Sequence, residues 1–197
     1  LLDDRGDRLL RKLLREVPLE ELQSEIVGAK LGSEAILTSL TAALIGIILV
    51  ILIMIVIYRV PGFASGLALI LYVILELIIL NAYEITLTLP GIAGVILSIG
   101  MAVDANVIIF ARIREELAIG MTVESSIKSG FNKALSAIID GNVTTLIIAA
   151  ILYAEGIGSI RGFAQTLALG IITSMFTALV ITKFILNIFV KLLTFML

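Results

Sequence analysis

The sequence predicts an all-α membrane protein, a bundle of five transmembrane helices, and two observations lead to this fold class. Of the 197 residues, 60% are hydrophobic and 15% are charged, whereas a soluble domain is about 45–50% apolar and about 25% charged. A membrane-spanning helix needs about 20 predominantly apolar residues. Five runs of that kind lie near residues 36–58, 63–83, 86–111, 131–153 and 162–182.

The residue types that are missing exclude most enzyme chemistry. The chain has no cysteine and no histidine, so it cannot form a disulfide, a thiolate or imidazole metal site, or a catalytic triad with an imidazole base. We therefore expect no enzyme activity and no metal. The net charge of −2 offers nothing to hold a nucleic-acid backbone. The expected surroundings are membrane lipid and protein, without nucleic acid.

The two ends of the chain differ from the apolar runs. Residues 1–34 resemble a short amphipathic segment that Pro18 interrupts, and we expect this segment to be either a remnant of a missing domain or a helix lying on the membrane. Residues 35–197 form the predicted five-span domain. The tail from Phe184 to Leu197 is too short to span a membrane alone, so it either continues the fifth helix or lies along the surface. Because the chain opens with Leu1 instead of Met, we expect it to be a piece of a longer protein.

Lys and Arg near the ends of the spans predict the orientation, because these residues favour the cytoplasmic side. One side of the predicted bundle carries most of them: Arg59, Arg112, Arg114, Lys128, Lys133, Lys183 and Lys191. The C-terminus is therefore expected in the cytoplasm and residues 1–34 outside. An elbow is predicted near residues 112–130, where Gly120 can end one helix and Thr122 can cap the next, with Glu124 in its first turn.

Two aspartates interrupt the apolar runs. Asp104 lies in the third run and Asp140 in the fourth, at nearly equal predicted depths. Facing lipid would cost each of them a few kcal/mol, so we expect them to face protein or water. The polar residues predicted to stand around them are Asn106, Asn142, Thr144 and Thr145.

Three interpretations of this polar layer are open. A buried carboxyl holds its proton more tightly, and a second carboxyl nearby strengthens this effect, so the layer could load and release protons. The aspartates could instead only bond neighbouring helices. They could also activate water in an intramembrane aspartyl protease, but the Gly-x-Gly-Asp pattern expected there is missing. Proton relay is the favoured hypothesis, and it requires no cofactor other than the proton itself. Glu76, alone in the second run, is a weaker candidate.

The last run has a ridge of small residues spaced four apart. The ridge consists of Gly162, Thr166, Gly170, Ser174, Ala178 and Thr182. Small residues at this spacing let two helix backbones approach closely, either in static packing or at an interface that moves. Gly170, in the middle of the ridge, is the predicted point of closest approach.

Several motifs resemble the SecD members of the SecD/SecF family of protein-export membrane proteins. Residues 89–94 read Leu-Pro-Gly-Ile-Ala-Gly, residues 100–107 read Gly-Met-Ala-Val-Asp-Ala-Asn-Val, and residues 110–116 read Phe-Ala-Arg-Ile-Arg-Glu-Glu. The similarity continues through residues 139–147, Ile-Asp-Gly-Asn-Val-Thr-Thr-Leu-Ile, and residues 156–164, Gly-Ile-Gly-Ser-Ile-Arg-Gly-Phe-Ala. It covers about residues 17–190.

The resemblance implies a fold and a function that composition alone does not provide. It implies part of one half of a transporter of the RND (resistance, nodulation and division) superfamily, in a bacterial or archaeal cytoplasmic membrane. It also implies a SecF-like partner subunit, work with the SecYEG translocon on an unfolded translocating polypeptide, and a coupling proton carried by the aspartate matched by Asp104. The expected function is a membrane subunit of the Sec export machinery that uses the proton-motive force. The alternative is a proton-coupled small-molecule exporter of the same superfamily.

The sequence departs from the family pattern in three respects. The family's first span and large extracytoplasmic domain are missing, so capture of a substrate protein cannot be carried over to this chain. Residues 1–16 do not match the end of that domain, and the Gly-Ala-Leu-Pro stretch that usually precedes the position of Pro18 is missing. The SecF-like half is also absent from this chain.

Overall fold

The structure, a computed structural model, describes residues 34–196, with side chains through residue 190. The predicted amphipathic segment at residues 1–34 lies outside this part except for Glu34. The helices are α1 Glu34–Tyr58, α2 Val60–Ala82, α3 Leu89–Ala118, α4 Val123–Glu155, α5 Ser159–Phe176 and α6 Lys183–Met196, with a π-helical segment Thr177–Thr182 between α5 and α6. All contacts described below are among residues 41–190.

The predicted five spans are confirmed: in the described part, five helices are long and apolar enough to cross a membrane. The third and fourth are longer than their apolar runs, reaching Ala118 and starting at Val123. Good helix formers such as Arg, Glu, Leu and Ala continue α3 beyond the point where the sequence becomes polar. The fifth span runs from α5 through the π-helical segment into α6, so the tail continues the fifth helix.

A sharp reversal joins α1 to α2. Arg59 alone separates the two helices and has a positive φ of 53°. A side chain at Gly62 would collide with the backbone carbonyl of Met54, so only glycine fits this crossing. Farther along, Ile51 packs on Gly66, and α1 therefore runs back along α2.

The elbow between α3 and α4 has the predicted caps. Gly120 has a φ of 90°, a conformation that favours glycine after a helix. The Thr122 hydroxyl accepts a hydrogen bond from the backbone N–H of Ser125 at 3.4 Å, and Glu124 lies in the first turn of α4. The four-residue link 119–122 makes α3 and α4 antiparallel neighbours.

A buried carboxylate next to the elbow ties α3 to α4. Lys133 Nζ donates to Glu116 Oε1 at 2.6 Å, and the Ser129 hydroxyl donates to Glu116 Oε2 at 3.0 Å. Two turns into α4, Gly130 sits on the backbone of Ile113, where an added Cβ would lie 2.8 Å from the Ile113 nitrogen. These contacts fix the register of α4 against α3.

The small-residue ridge of α5 lies against α3. Thr166 donates across the interface to the backbone carbonyl of Gly91 at 3.0 Å. A Cβ added to Gly94 would collide with the Thr166 hydroxyl, and a Cβ added to Gly170 would collide with the side chain of Ser98. Thr166, Gly170, Ser174 and Ala178 are buried, and Gly162 is half-buried beside Thr88. Small side chains on both helices thus permit a close backbone approach.

Candidate proton-relay face

Two polar residues of the third span, Asp104 and Asn106, point in opposite directions. Asp104 is exposed on the surface of the bundle. Asn106 is only 4% exposed, and its side-chain oxygen accepts a hydrogen bond from the Thr182 hydroxyl at 3.0 Å. Two residues are about 200° apart around an α-helix, so burial of Asn106 in the bundle turns Asp104 outward.

The fourth span carries a polar stripe on its exposed side. Four exposed polar residues are spaced four apart along it: Asn132, Ser136, Asp140 and Thr144. The Ser136 hydroxyl donates to the Asp140 carboxylate at 3.2 Å. Ile138, two residues before Asp140, is 1% exposed. Because Ile138 lies in the core, Asp140 points outward, just as burial of Asn106 makes Asp104 point outward.

The contact between Gly130 and Ile113 is a reference point from which the positions of the two aspartates along their helices can be compared. Asp104 lies nine residues before Ile113, and Asp140 lies ten residues after Gly130. At about 1.5 Å per residue, both aspartates are about 14 Å from this contact along antiparallel helices. We use the name aspartate face for the exposed residues near this level of the two helices, Gly100, Asp104, Ser136, Asp140 and Thr144.

The other predicted residues of the polar layer bond within their own helix. Asn142 donates to the Ile138 carbonyl at 2.7 Å, and the Thr145 hydroxyl donates to the Gly141 carbonyl at 3.4 Å. The Thr144 hydroxyl donates to the backbone carbonyl of Asp140 at 3.3 Å. Within residues 34–190, no side-chain hydrogen bond joins Asp104 to any of them. Within the described chain, the carboxylate of Asp140 accepts a hydrogen bond from Ser136, and no hydrogen bond to the carboxylate of Asp104 is found.

Sequence reasoning missed the interior partner of Asn106. Thr182 ends the π-helical segment, and its hydroxyl lies within bonding distance of both Asn106 and the Thr177 carbonyl, at 3.0 and 3.3 Å. A π-helical segment shifts the register of a helix and is frequent at functional sites. The available signal was the closely spaced pair Thr177 and Thr182 in an apolar run, which is too weak to predict a change of helix type.

The aspartate face places two carboxyl groups at exposed positions of apolar spans. An exposed carboxylate in an apolar span is costly against lipid, and either a proton or a polar partner removes that cost. Gly100 is also exposed, with no atom within 4 Å of an added Cβ, so another helix backbone can approach one turn from Asp104. The two helices thus offer two exposed ionisable groups and an open position at Gly100.

Comparison with known proteins identifies the family. The profile of the family described as "Protein export membrane protein SecD/SecF, C-terminal" matches residues 10–191. The chain belongs to this family. The SecD/SecF assignment agrees with the motifs around Asp104 and Asp140.

Curated relatives are similar over most of this chain. The chain is 49% identical to protein translocase subunit SecD of Acidaminococcus fermentans over 179 residues, which are 91% of this chain and 43% of the relative. It is 50% identical to the SecD subunit of Synechocystis sp. over 88% of this chain and 37% of that protein. The chain thus spans less than half the length of these SecD proteins.

A solved structure of the same family has a similar fold. The crystal structure of SecDF, a translocon-associated membrane protein from Thermus thermophilus, matches with a TM-score of 0.75 and 38% sequence identity. The match covers 77% of this chain and 21% of the SecDF chain. The helical bundle is therefore a SecD/SecF membrane fold, as the sequence motifs implied.

Proposed function

We propose that this chain is the SecD-type membrane core of a protein-export subunit that uses the proton-motive force, with Asp104 as the proton carrier and Asp140 as its assisting carboxyl. The observation that carries the proposal is the exposure of both aspartates within apolar spans. Contact with lipid is energetically costly for such groups, so a second protein half covers them. The SecD names of the relatives support a role in export.

The partner in this proposal is a SecF-like half that docks on the aspartate face. Paired halves would enclose Asp104 and Asp140 between them, where protonation changes the charge buried at the interface. The assembly works with a SecYEG-type translocon on an unfolded polypeptide, in a bacterial or archaeal cytoplasmic membrane. Asn142, Thr144 and Thr145 tune the local polarity of α4, while Asn106 links α3 to the π-helical segment. The chain itself acts as a transport subunit without catalysing a chemical reaction.

Cross-linking from a single cysteine tests the docking of this partner, because the sequence contains no cysteine of its own. Ser136→Cys places a thiol on the aspartate face, and Ile78→Cys places one on α2, where Ile78 is 58% exposed. We expect a photoactivatable maleimide at position 136 to capture a SecF-like protein in native membranes, with little or no capture from position 78. Equal capture from both positions, or only a self-linked product from position 136, would contradict the proposed interface.

The proposed orientation predicts opposite labelling at the two ends of the bundle. Ile119 in the elbow is 73% exposed, and Ile157 in the turn between α4 and α5 is 86% exposed. Because most Lys and Arg residues lie at the elbow end, we expect Ile119→Cys to react with a membrane-impermeant maleimide only after the cytoplasmic side is opened. Ile157→Cys should react in intact spheroplasts. The reverse pattern would overturn the orientation, including the cytoplasmic C-terminus.

A further inference from the structure

Glu76 is a buried carboxyl that the aspartate face does not use. It lies in α2 and is 1% exposed. Neither carboxyl oxygen has a hydrogen-bond partner within the described chain. Its surroundings are the interior of the bundle, whereas Asp104 and Asp140 are exposed.

Two hydroxyl-bearing residues lie close to Glu76, Tyr72 on its own helix and Thr173 on α5, and Ser98 on α3 extends this cluster through Tyr72. Tyr72, one turn earlier on α2, is fully buried, and its hydroxyl lies 2.7 Å from the Ser98 hydroxyl on α3. Thr173 on α5 lies beside the carboxyl. Gly170 closes the cluster, since a Cβ there would lie 3.2 Å from the Tyr72 hydroxyl.

Within the part of the chain that the structure describes, no positively charged side chain is paired with the carboxyl. Within the described chain Tyr72 is the titratable group that interacts with it, and Thr173 on α5 contributes a neutral hydroxyl. Lys183, at the start of α6, lies over the ring of Phe131, 5.6 Å from its centre. The side of α1 that packs on the apolar cluster containing Tyr72 is itself apolar, with Ile47 and Ile51.

Electrostatics decides which form of the carboxyl fits this cluster. An unpaired carboxylate in a low-dielectric interior costs far more than a neutral carboxylic acid, which keeps one donor and loses the charge. Hydroxyl groups can accept from that donor or donate to its carbonyl oxygen. We propose that Glu76 is a proton-binding site inside the bundle, separate from the aspartate face, and that its proton keeps α2 packed on α3 and α5.

The proposal predicts a specific dependence of stability on pH. If the folded chain holds a proton that the unfolded chain releases, stability falls as pH rises, by a factor of ten in the unfolding equilibrium per pH unit while one proton differs. We expect thermal unfolding of the chain, purified from membranes into lipid vesicles, to show this fall in stability from mildly acidic to mildly alkaline pH.

Glu76→Gln, which is nearly isosteric and cannot ionise, should remove this dependence of stability on pH. Glu115→Gln, at an exposed position outside both the Glu76 cluster and the aspartate face, should keep the wild-type slope. Because Asp104 is intact in wild type and in Glu76→Gln alike, failure of this test is separable from failure of the proposed function. Identical slopes for wild type and Glu76→Gln would overturn the site.

A chemical probe tests the same site in the unaltered protein. Dicyclohexylcarbodiimide partitions into membranes and modifies carboxyl groups that carry a proton, and peptide mass spectrometry locates the adduct. We expect an adduct on the peptide containing Glu76, with a yield that falls as pH rises. No adduct at acidic pH would contradict the proposal. If sodium ions at constant pH protected Glu76 from the reagent, the site would be a metal-cation site instead of a proton site.

Discussion

Replacing Asp104 with asparagine is expected to abolish the part of protein export that depends on the proton-motive force. Asparagine is nearly isosteric with aspartate but cannot ionise, and position 104 is exposed, so the bundle should fold and insert normally. The measurement is export of a secretory protein into inverted membrane vesicles that contain the complete complex, with and without an uncoupler. The gradient-stimulated component should fall to the level seen with the uncoupler, while export that does not depend on the gradient continues.

Three further variants make this prediction specific. Asp104→Glu keeps an ionisable group and should retain part of the stimulation. Asp140→Asn should have a milder effect than Asp104→Asn, because Asp140 already has a polar partner in Ser136. Glu115→Gln removes a solvent-exposed carboxylate of the same helix, paired with Arg112 at 2.7 Å, and should leave export unchanged because such surface pairs contribute little. Normal gradient-driven export with asparagine at position 104 would refute the assignment of Asp104 as the proton carrier.

Replacing Gly170 with alanine is expected to destabilise the bundle by about 1–3 kcal/mol, a typical penalty for overpacking. The added Cβ would collide with the Cβ and hydroxyl of Ser98. Ser98 has little room to move, because its hydroxyl lies within bonding distance of both Tyr72 and the Val95 carbonyl, at 2.7 and 2.8 Å. Gly170→Leu should prevent assembly of α5 on α3. Thermal unfolding in detergent and the yield of membrane-inserted protein measure the two effects.

Gly100 provides the matched control for Gly170, since an alanine Cβ at position 100 would have no atom within 4 Å. Alanine is favoured over glycine inside a helix by about 1 kcal/mol, so Gly100→Ala should leave the stability of the chain unchanged or raise it. Opposite signs for these two alanine variants would show that close packing decides the effect. Equal stability of Gly170→Ala and wild type would contradict the described contact between α5 and α3.

The sequence alone was sufficient to predict how many spans the chain has and where the turn between α3 and α4 lies. Apolar runs of about 20 residues predict membrane helices because unsatisfied backbone groups are costly in lipid. Local chemistry also determines the turn at Gly120 and the cap at Thr122, since each depends only on neighbouring residues. The same local rules underestimated the lengths of α3 and α4, because a helix continues into polar sequence where no residue breaks it.

Only the tertiary structure decided which side of each helix is buried. In a membrane span both faces are apolar, so periodicity does not separate a lipid-facing residue from a core residue. The packing of Asn106 against Thr182 turns Asp104 outward, and the packing of α2 on α3 and α5 encloses Glu76. Both outcomes depend on contacts between helices far apart in sequence. The residue types therefore predicted where carboxyl groups occur along the chain, and long-range packing determined which of them is exposed.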